Sequence, residues 1–153
     1  MARGLQVPQS IYYRFFIAQE VPKSVNYILY IDCDIIVKDS LKELYETDLN
    51  NKIIAAVYDK RPFEIETINR LCLPIENGYF NSGVLLIDVQ QWNLNNITSR
   101  LCKLILDYSE RLVFPDQDAL NILFTGNWKK LHLRYNLQQG FVYEHTKLFL
   151  ARF

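Results

Sequence analysis

Apolar positions along this chain fall into two kinds of run. One kind is continuous and rich in β-formers, near 27–32 and in "KIIAAVYD" at 52–59, and "GYFNSGVLLIDV" at 78–89 reads as a further strand. Unbroken apolar runs of this length predict strands buried on both faces. The other kind recurs every three or four residues. Ile97, Leu101, Leu104, Ile105 and Tyr108 in "LNNITSRLCKLILDYSERL" predict one helix, with Asn95 or Asn96 as its cap. "FPDQDALNILF" predicts a second helix, opened by Asp116 after Pro115 and closed near Gly126. Ser10 is a candidate cap for a helix through "IYYRFFIAQE" that stops at Pro22, with Arg14 among its apolar residues. Ser40 and Glu43 form a capping-box pattern ahead of a short helix in "DSLKELYE". Residues 63–72 predict a short helix or an ordered loop. "WKKLHLRYN" predicts a last strand, with His132 facing outward between Leu131 and Leu133. Strands that alternate with helices predict an α/β fold with helices over both sheet faces.

Composition narrows the partners. The 153 residues suffice for one domain with a real core, half of them are apolar, and 17 basic residues balance 17 acidic ones. A balanced chain lacks the basic face that duplex DNA requires, so no nucleic-acid partner is expected. No apolar run is long enough to span a bilayer, and "MARGLQVPQS" has no apolar segment of a signal peptide. Cys33, Cys72 and Cys102 are scattered and odd in number, which argues against a disulfide framework or a zinc knuckle and favours a reducing, cytoplasmic setting.

Chemistry concentrates at the end of the first strand, in "YILYIDCDIIV". Residues two apart in an extended strand share a side, so Asp32 and Asp34 are expected to converge while Cys33 faces away as a buried small hydrophobe. Two adjacent carboxylates repel unless a cation lies between them, and Mn²⁺ or Mg²⁺ suits oxygen ligands. The alternative is two solvated aspartates at a strand exit. Flanking carboxylates would raise the Cys33 pKa, which argues against a nucleophilic thiolate there.

The order of blocks is more specific than any one of them. Ser10 and Tyr13-x-x-Phe16 come first, then "LYIDCDIIVKDSLKELYETDL", "AAVYD", "GYFNSGVLLIDVQQW", "PDQDALNILF" and "LRYN". From about Ser10 to Asn136 this resembles the family 8 glycosyltransferases, retaining enzymes that include lipooligosaccharide galactosyltransferases and glycogenin. The resemblance implies a GT-A fold of the nucleotide-diphospho-sugar transferase type, with a mixed, mainly parallel sheet flanked by helices. It implies a UDP-glucose or UDP-galactose donor, a glycan or glycolipid acceptor, and a Mn²⁺ or Mg²⁺ cofactor held by Asp32 and Asp34. Arg14, Asp32, Cys33, Asp59, Asn81, Ser82 and Gly83 would then bind the donor, with Asp116 and Gln117 at the reacting face. A neutral amide is a poor nucleophile, so Gln117 fits the steadying of an oxocarbenium-like state, with leaving group and acceptor on one face.

The chain also departs from the family. Members begin with a strand and helix of the uridine pocket, whereas nine residues precede the first block here. They end their site with a histidine in an H-x-x-G-x-x-K-P-W block, and "EHTKLFLARF" around His145 does not match it. The expected organisation is a lead-in at 1–9, an incomplete catalytic core at 10–136 and a tail at 137–153. The strand at 27–32 would then have an open edge, through which the chain would self-associate or over which its terminal segments would fold. A peripheral place at the inner membrane face is compatible with a glycolipid acceptor. Two other functions compete: a non-catalytic sugar- or partner-binding remnant, and a phosphatase using "DCDII" as nucleophile and acid/base. The latter resembles the haloacid-dehalogenase type, but Ile36 stands where Thr or Val belongs and "FNSG" and "PDQD" have no place in that fold.

Overall fold

A computed structural model describes residues 9–60 and 64–138. Its elements are a 3₁₀ helix Gln9–Phe15, α1 Ile17–Glu20, β1 Tyr27–Ile31, α2 Lys42–Tyr45, β2 Ile54–Tyr58 and α3 Glu64–Leu71. A 3₁₀ turn Ile75–Asn77 precedes β3 Phe80–Asp88, α4 Val89–Leu94, α5 Ile97–Asp107, α6 Pro115–Phe124, β4 Lys129–Lys130 and a 3₁₀ turn Leu133–Tyr135. The described strands form one mixed sheet in the order β1-β3-β2-β4. β3 is antiparallel to both neighbours, and parallel pairing is confined to β2 and β4. The expectation of a mainly parallel sheet thus holds for direction, since β1, β2 and β4 run the same way, and not for pairing. Among the described residues β1 pairs on one side only, with β3.

The main core lies on one face of the sheet. Ile28, Ile54, Ala56, Leu85 and Ile87 alternate toward it and meet Trp92, Ile97, Leu101, Leu120 and Phe124 of the helices. On the opposite face Ala55 and Leu86 meet Leu49 and Leu131. α3 packs beside α6 through Ile68, Leu71 and Tyr79.

Several local expectations are corrected. The first helix starts at Gln9 as a 3₁₀ helix, so Ser10 is inside it and caps nothing. Ser40 Oγ accepts from Lys42 N–H at 3.3 Å, but Glu43 does not complete the capping box because it pairs with Arg134. The helix expected after Asn95 or Asn96 is α5, with Asn96 at its N-cap position but making no side-chain cap bond, and an unexpected short helix, α4, precedes it. Asp88 caps α4 by accepting from Gln91 N–H at 2.8 Å, and Asn96 breaks the path with a left-handed φ of 52°. Asn tolerates that conformation better than most residues. Across the break, the buried Thr98 hydroxyl donates to Phe15 C=O at 2.6 Å and accepts from Trp92 Nε1–H at 3.0 Å. That pair of bonds locks the first helix onto α4 and α5. The strand expected in "WKKLHLRYN" shrinks to Lys129–Lys130, and the exposed His132 caps the following turn by accepting from Arg134 N–H at 3.2 Å.

Candidate active site

β1 ends at Ile31, before the two aspartates. Ile35 N–H donates to Asp32 C=O at 3.2 Å, so Asp32 to Ile35 form a turn instead of continuing the strand. Strand alternation therefore does not govern Asp32 and Asp34, and Cys33 is exposed where a buried position was expected. Asp32 keeps one link to the sheet, its N–H donating to Gly83 C=O at 2.8 Å.

Because β3 runs against β1 and β2, its start lies beside their C-terminal ends, where α/β sheets bind ligands. There β3 bulges. Val57 and Ala56 are consecutive on β2, yet their partners on β3 are Asn81 and Leu85. Ser82, Gly83 and Val84 thus leave the β2 ladder, and their groups are free to find side-chain partners. α6 supplies these partners. Gln117 Oε1 accepts from Ser82 N–H at 3.0 Å and lies 3.3 Å from its hydroxyl, while Gln117 Nε2 donates to Asp59 Oδ2 at 2.8 Å. One helical turn later, Asn121 pairs with Phe80 N–H and C=O at 2.8 and 2.9 Å. Spacing of four residues puts both amides on one helix face, Gln117 meeting the bulge at Ser82 and Asn121 meeting Phe80, which stays in register with Tyr58 of β2.

Arg14 closes the other side. Its guanidinium donates to Asp32 Oδ1 at 2.9 Å and to Ser82 C=O and Oγ at 3.1 and 3.0 Å, and its Nε is 3.1 Å from Asp116 Oδ2. The guanidinium also lies over the Tyr30 ring, 4.6 Å from its centre. Tyr30 hydroxyl donates to Asp32 Oδ1 at 2.7 Å. Burial, then this bond to Asp32, raises the Tyr30 pKa to about 12, so the phenol remains a donor. Burial also raises the Asp116 carboxyl above its ordinary value, against the opposing pull of Arg14. Asn81 Oδ1 accepts from Gly83 N–H at 2.9 Å and from Asn136 Nδ2 at 2.8 Å.

Arg14, Asp32, Asp59, Ser82, Asp116 and Gln117 thus form one hydrogen-bonded and ion-paired network, with Asn81 and Gly83 in the adjoining bulge. Cys33 and Asp34 sit on the exposed turn beside it. Sequence reasoning missed Tyr30, Asn121 and Asn136. Asn121 was the one with a local signal, its four-residue spacing from Gln117. His145 lies outside the described residues.

Among the described residues no group of three or more His, Cys, Asp or Glu side chains is placed to hold a metal. Asp32 Oδ1 is occupied by Arg14 and Tyr30, and Asp34 is exposed, with no hydrogen-bond or ion-pair partner among the described residues. Two carboxylates of this kind fit a hard cation only if water or a ligand's phosphates supply the remaining oxygens. Among the described residues no helix is long and apolar enough to cross a membrane.

A polar network at the strand ends of a mixed sheet lies where α/β folds bind their ligands. Residues 6–152 match the model of glycosyl transferase family 8, and the chain belongs to that family. It is 36% identical over 132 residues to a lipopolysaccharide 1,2-glucosyltransferase of Escherichia coli, covering 84% of this chain and 39% of the relative. Identity to a lipopolysaccharide 1,3-galactosyltransferase of Salmonella typhimurium is 31% over 138 residues, covering 87% and 41%. The structure of the galactosyltransferase LgtC in complex with donor and acceptor sugar analogues superposes with a TM-score of 0.75 at 30% identity, covering 80% of this chain and 44% of that one. The chain spans about two-fifths of the length of these curated relatives.

Proposed function

We propose that this chain carries the donor-sugar part of a retaining hexosyltransferase, which moves glucose or galactose from a UDP-sugar to a glycan or glycolipid acceptor. The observation that carries the proposal is the Gln117 amide, held between Asp59 and Ser82 beside the Arg14–Asp116 pair. In transfer the bond from the anomeric carbon to the UDP oxygen breaks, and one to the acceptor oxygen forms. The acceptor hydroxyl's proton leaves with UDP. Arg14 suits the donor's anionic oxygens as a planar donor. Asp59 and Asp116 suit sugar hydroxyls as acceptors. Gln117 offers a fixed dipole next to developing positive charge, without the negative charge of a carboxylate nucleophile. Asn81, Ser82, Gly83 and the Cys33 turn would line the donor. Asp32 and Asp34 would hold Mn²⁺ or Mg²⁺ together with the diphosphate, and such an ion when bound neutralises charge on the leaving UDP.

Calorimetry with UDP, with and without Mn²⁺, tests this. Binding is expected to require Mn²⁺ and to be abolished by Asp34→Asn. Equal affinity with and without the ion would contradict the metal assignment. The engagement of Asp32 Oδ1 by Arg14 and Tyr30 favours a second reading, a sugar- or partner-binding unit without turnover. Mn²⁺-dependent hydrolysis of UDP-glucose or UDP-galactose separates the two, since a binding unit retains affinity and releases no sugar.

A further inference from the structure

Next to Gln117 stands a carboxylate that the proposed chemistry does not use. Asp118 is fully buried, and its oxygens are taken up by the protein. Oδ1 accepts from Tyr79 hydroxyl at 2.5 Å, and Oδ2 accepts from Val113 N–H at 2.8 Å and Phe114 N–H at 3.0 Å. Arg70 of α3 reaches both oxygens, at 3.1 and 3.5 Å, and its guanidinium also donates to Arg111 C=O. α6 has no side-chain cap at Phe114, and Asp118 turns back across the first helical turn to hold the N–H groups of Val113 and Phe114 just ahead of the helix.

The contacts form a closed circuit. Tyr79 C=O accepts from Asp59 N–H at 2.9 Å, while its hydroxyl donates to Asp118. Gln117, the neighbour of Asp118, donates to the Asp59 carboxylate. One tyrosine thus ties the backbone of Asp59 to the helix that carries Gln117. A buried carboxylate is costly unless paired and hydrogen-bonded, and this one is satisfied only when α3, α6, the 111–114 loop and the start of β3 are together.

We propose that Asp118 is a positioning residue: with Tyr79 and Arg70 it sets the first turn of α6 so that the Gln117 amide meets Asp59 and Ser82. The proposal rests on the function assigned above for its catalytic meaning, and on geometry alone for the positioning.

Hydrogen exchange by NMR on the full chain separates the two. Ser82 N–H, whose acceptor is Gln117 Oε1, is the reporter, and Leu86 N–H in the central ladder is the reference. In Tyr79→Phe, which keeps the buried ring, and in Asp118→Asn, Ser82 should exchange about tenfold faster relative to Leu86, as expected for loss of a buried hydrogen bond. If Asp118→Asn does not fold, Tyr79→Phe decides alone. A Ser82-to-Leu86 ratio unchanged from the parent chain, whether neither amide or both accelerate, would overturn the proposal. Where the parent chain hydrolyses a UDP-sugar, kcat should fall in both variants with donor KM held. A fall in affinity with kcat held would also overturn it. A parent chain without turnover contradicts the enzymatic assignment and leaves the exchange result to judge Asp118.

Discussion

Replacing Gly83 by alanine would press on the centre of the site. A Cβ there would lie 2.9 Å from Asn81 Oδ1, 3.1 Å from Asp32 Oδ2 and 3.5 Å from Ile35 Cδ1. Comfortable carbon contacts begin near ~3.5 Å, so the two oxygens must give way. Asn81 Oδ1 cannot retreat without stretching its bonds from Gly83 N–H and Asn136, at 2.9 and 2.8 Å. Gly83 has no left-handed φ, unlike Gly78 and Gly126 at 66° and 67°, so the cost is steric and not conformational. Overpacking of this kind costs about 1–3 kcal/mol and one weakened hydrogen bond about 0.5–1.5 kcal/mol, for a total of about 2–4 kcal/mol. A domain with about 5–15 kcal/mol of stability survives that loss. Urea titration should therefore show a folded but weakened protein. Displacement of Asp32 Oδ2 should also lower Mn²⁺-dependent UDP affinity by about tenfold or more, as when a metal ligand loses its support. A Gly83→Ala protein within about 0.5 kcal/mol of the parent, the usual range for harmless surface changes, and with unchanged affinity would refute the close packing of Asn81, Gly83 and Asp32.

Other consequences are open to measurement. Thr98→Val strands the Trp92 indole N–H and Phe15 C=O in the core, and should cost about 2–3 kcal/mol in urea denaturation; no loss would mean that the hydroxyl is not the joint between these helices. The raised Tyr30 pKa stabilises the fold fully below pH 10.0, and this contribution is lost as pH rises through about 12. Alkaline unfolding followed by circular dichroism should show that limb in the parent and not in Tyr30→Phe. The raised Asp116 pKa acts in the same direction at acid pH: its contribution is complete below 3.8 and is lost as pH rises through the folded-state value. Asp116→Asn should therefore flatten the stability profile over that window in urea titrations. Among the described residues β1 has a strand partner on one side only, which predicts self-association, and Tyr27→Lys at the exposed start of that strand should shift light scattering toward monomer. A parent chain that is already monomeric at high concentration would contradict this.

Local physics alone made much of the fold legible. The continuous apolar runs became β1, β2 and β3, though burial on both faces holds for β2 and β3 and not for β1, where Ile28 alone is buried. α6 was legible too, although it begins at Pro115 and not at Asp116, because a proline ring suits the first helical position. The blocks around Arg14, Asp32, Asp59, Asn81 and Asp116–Gln117 identified the family before their contacts were known. Pairing was not legible, since nothing local to residues 80–88 says that β3 inserts between β1 and β2 and opposes both. The same limit hid the bulge at Ser82 to Val84, where the Ser82 N–H finds its acceptor in Gln117 of α6. Strand alternation mispredicted Cys33, because the turn at Asp32 ends the strand one residue early. Asp118 shows the difference most clearly. Its residue type and place in the helix are plain in "PDQD", but its five donors come from α3, β3's lead-in and the 111–114 loop, and only tertiary packing brings them to one buried carboxylate.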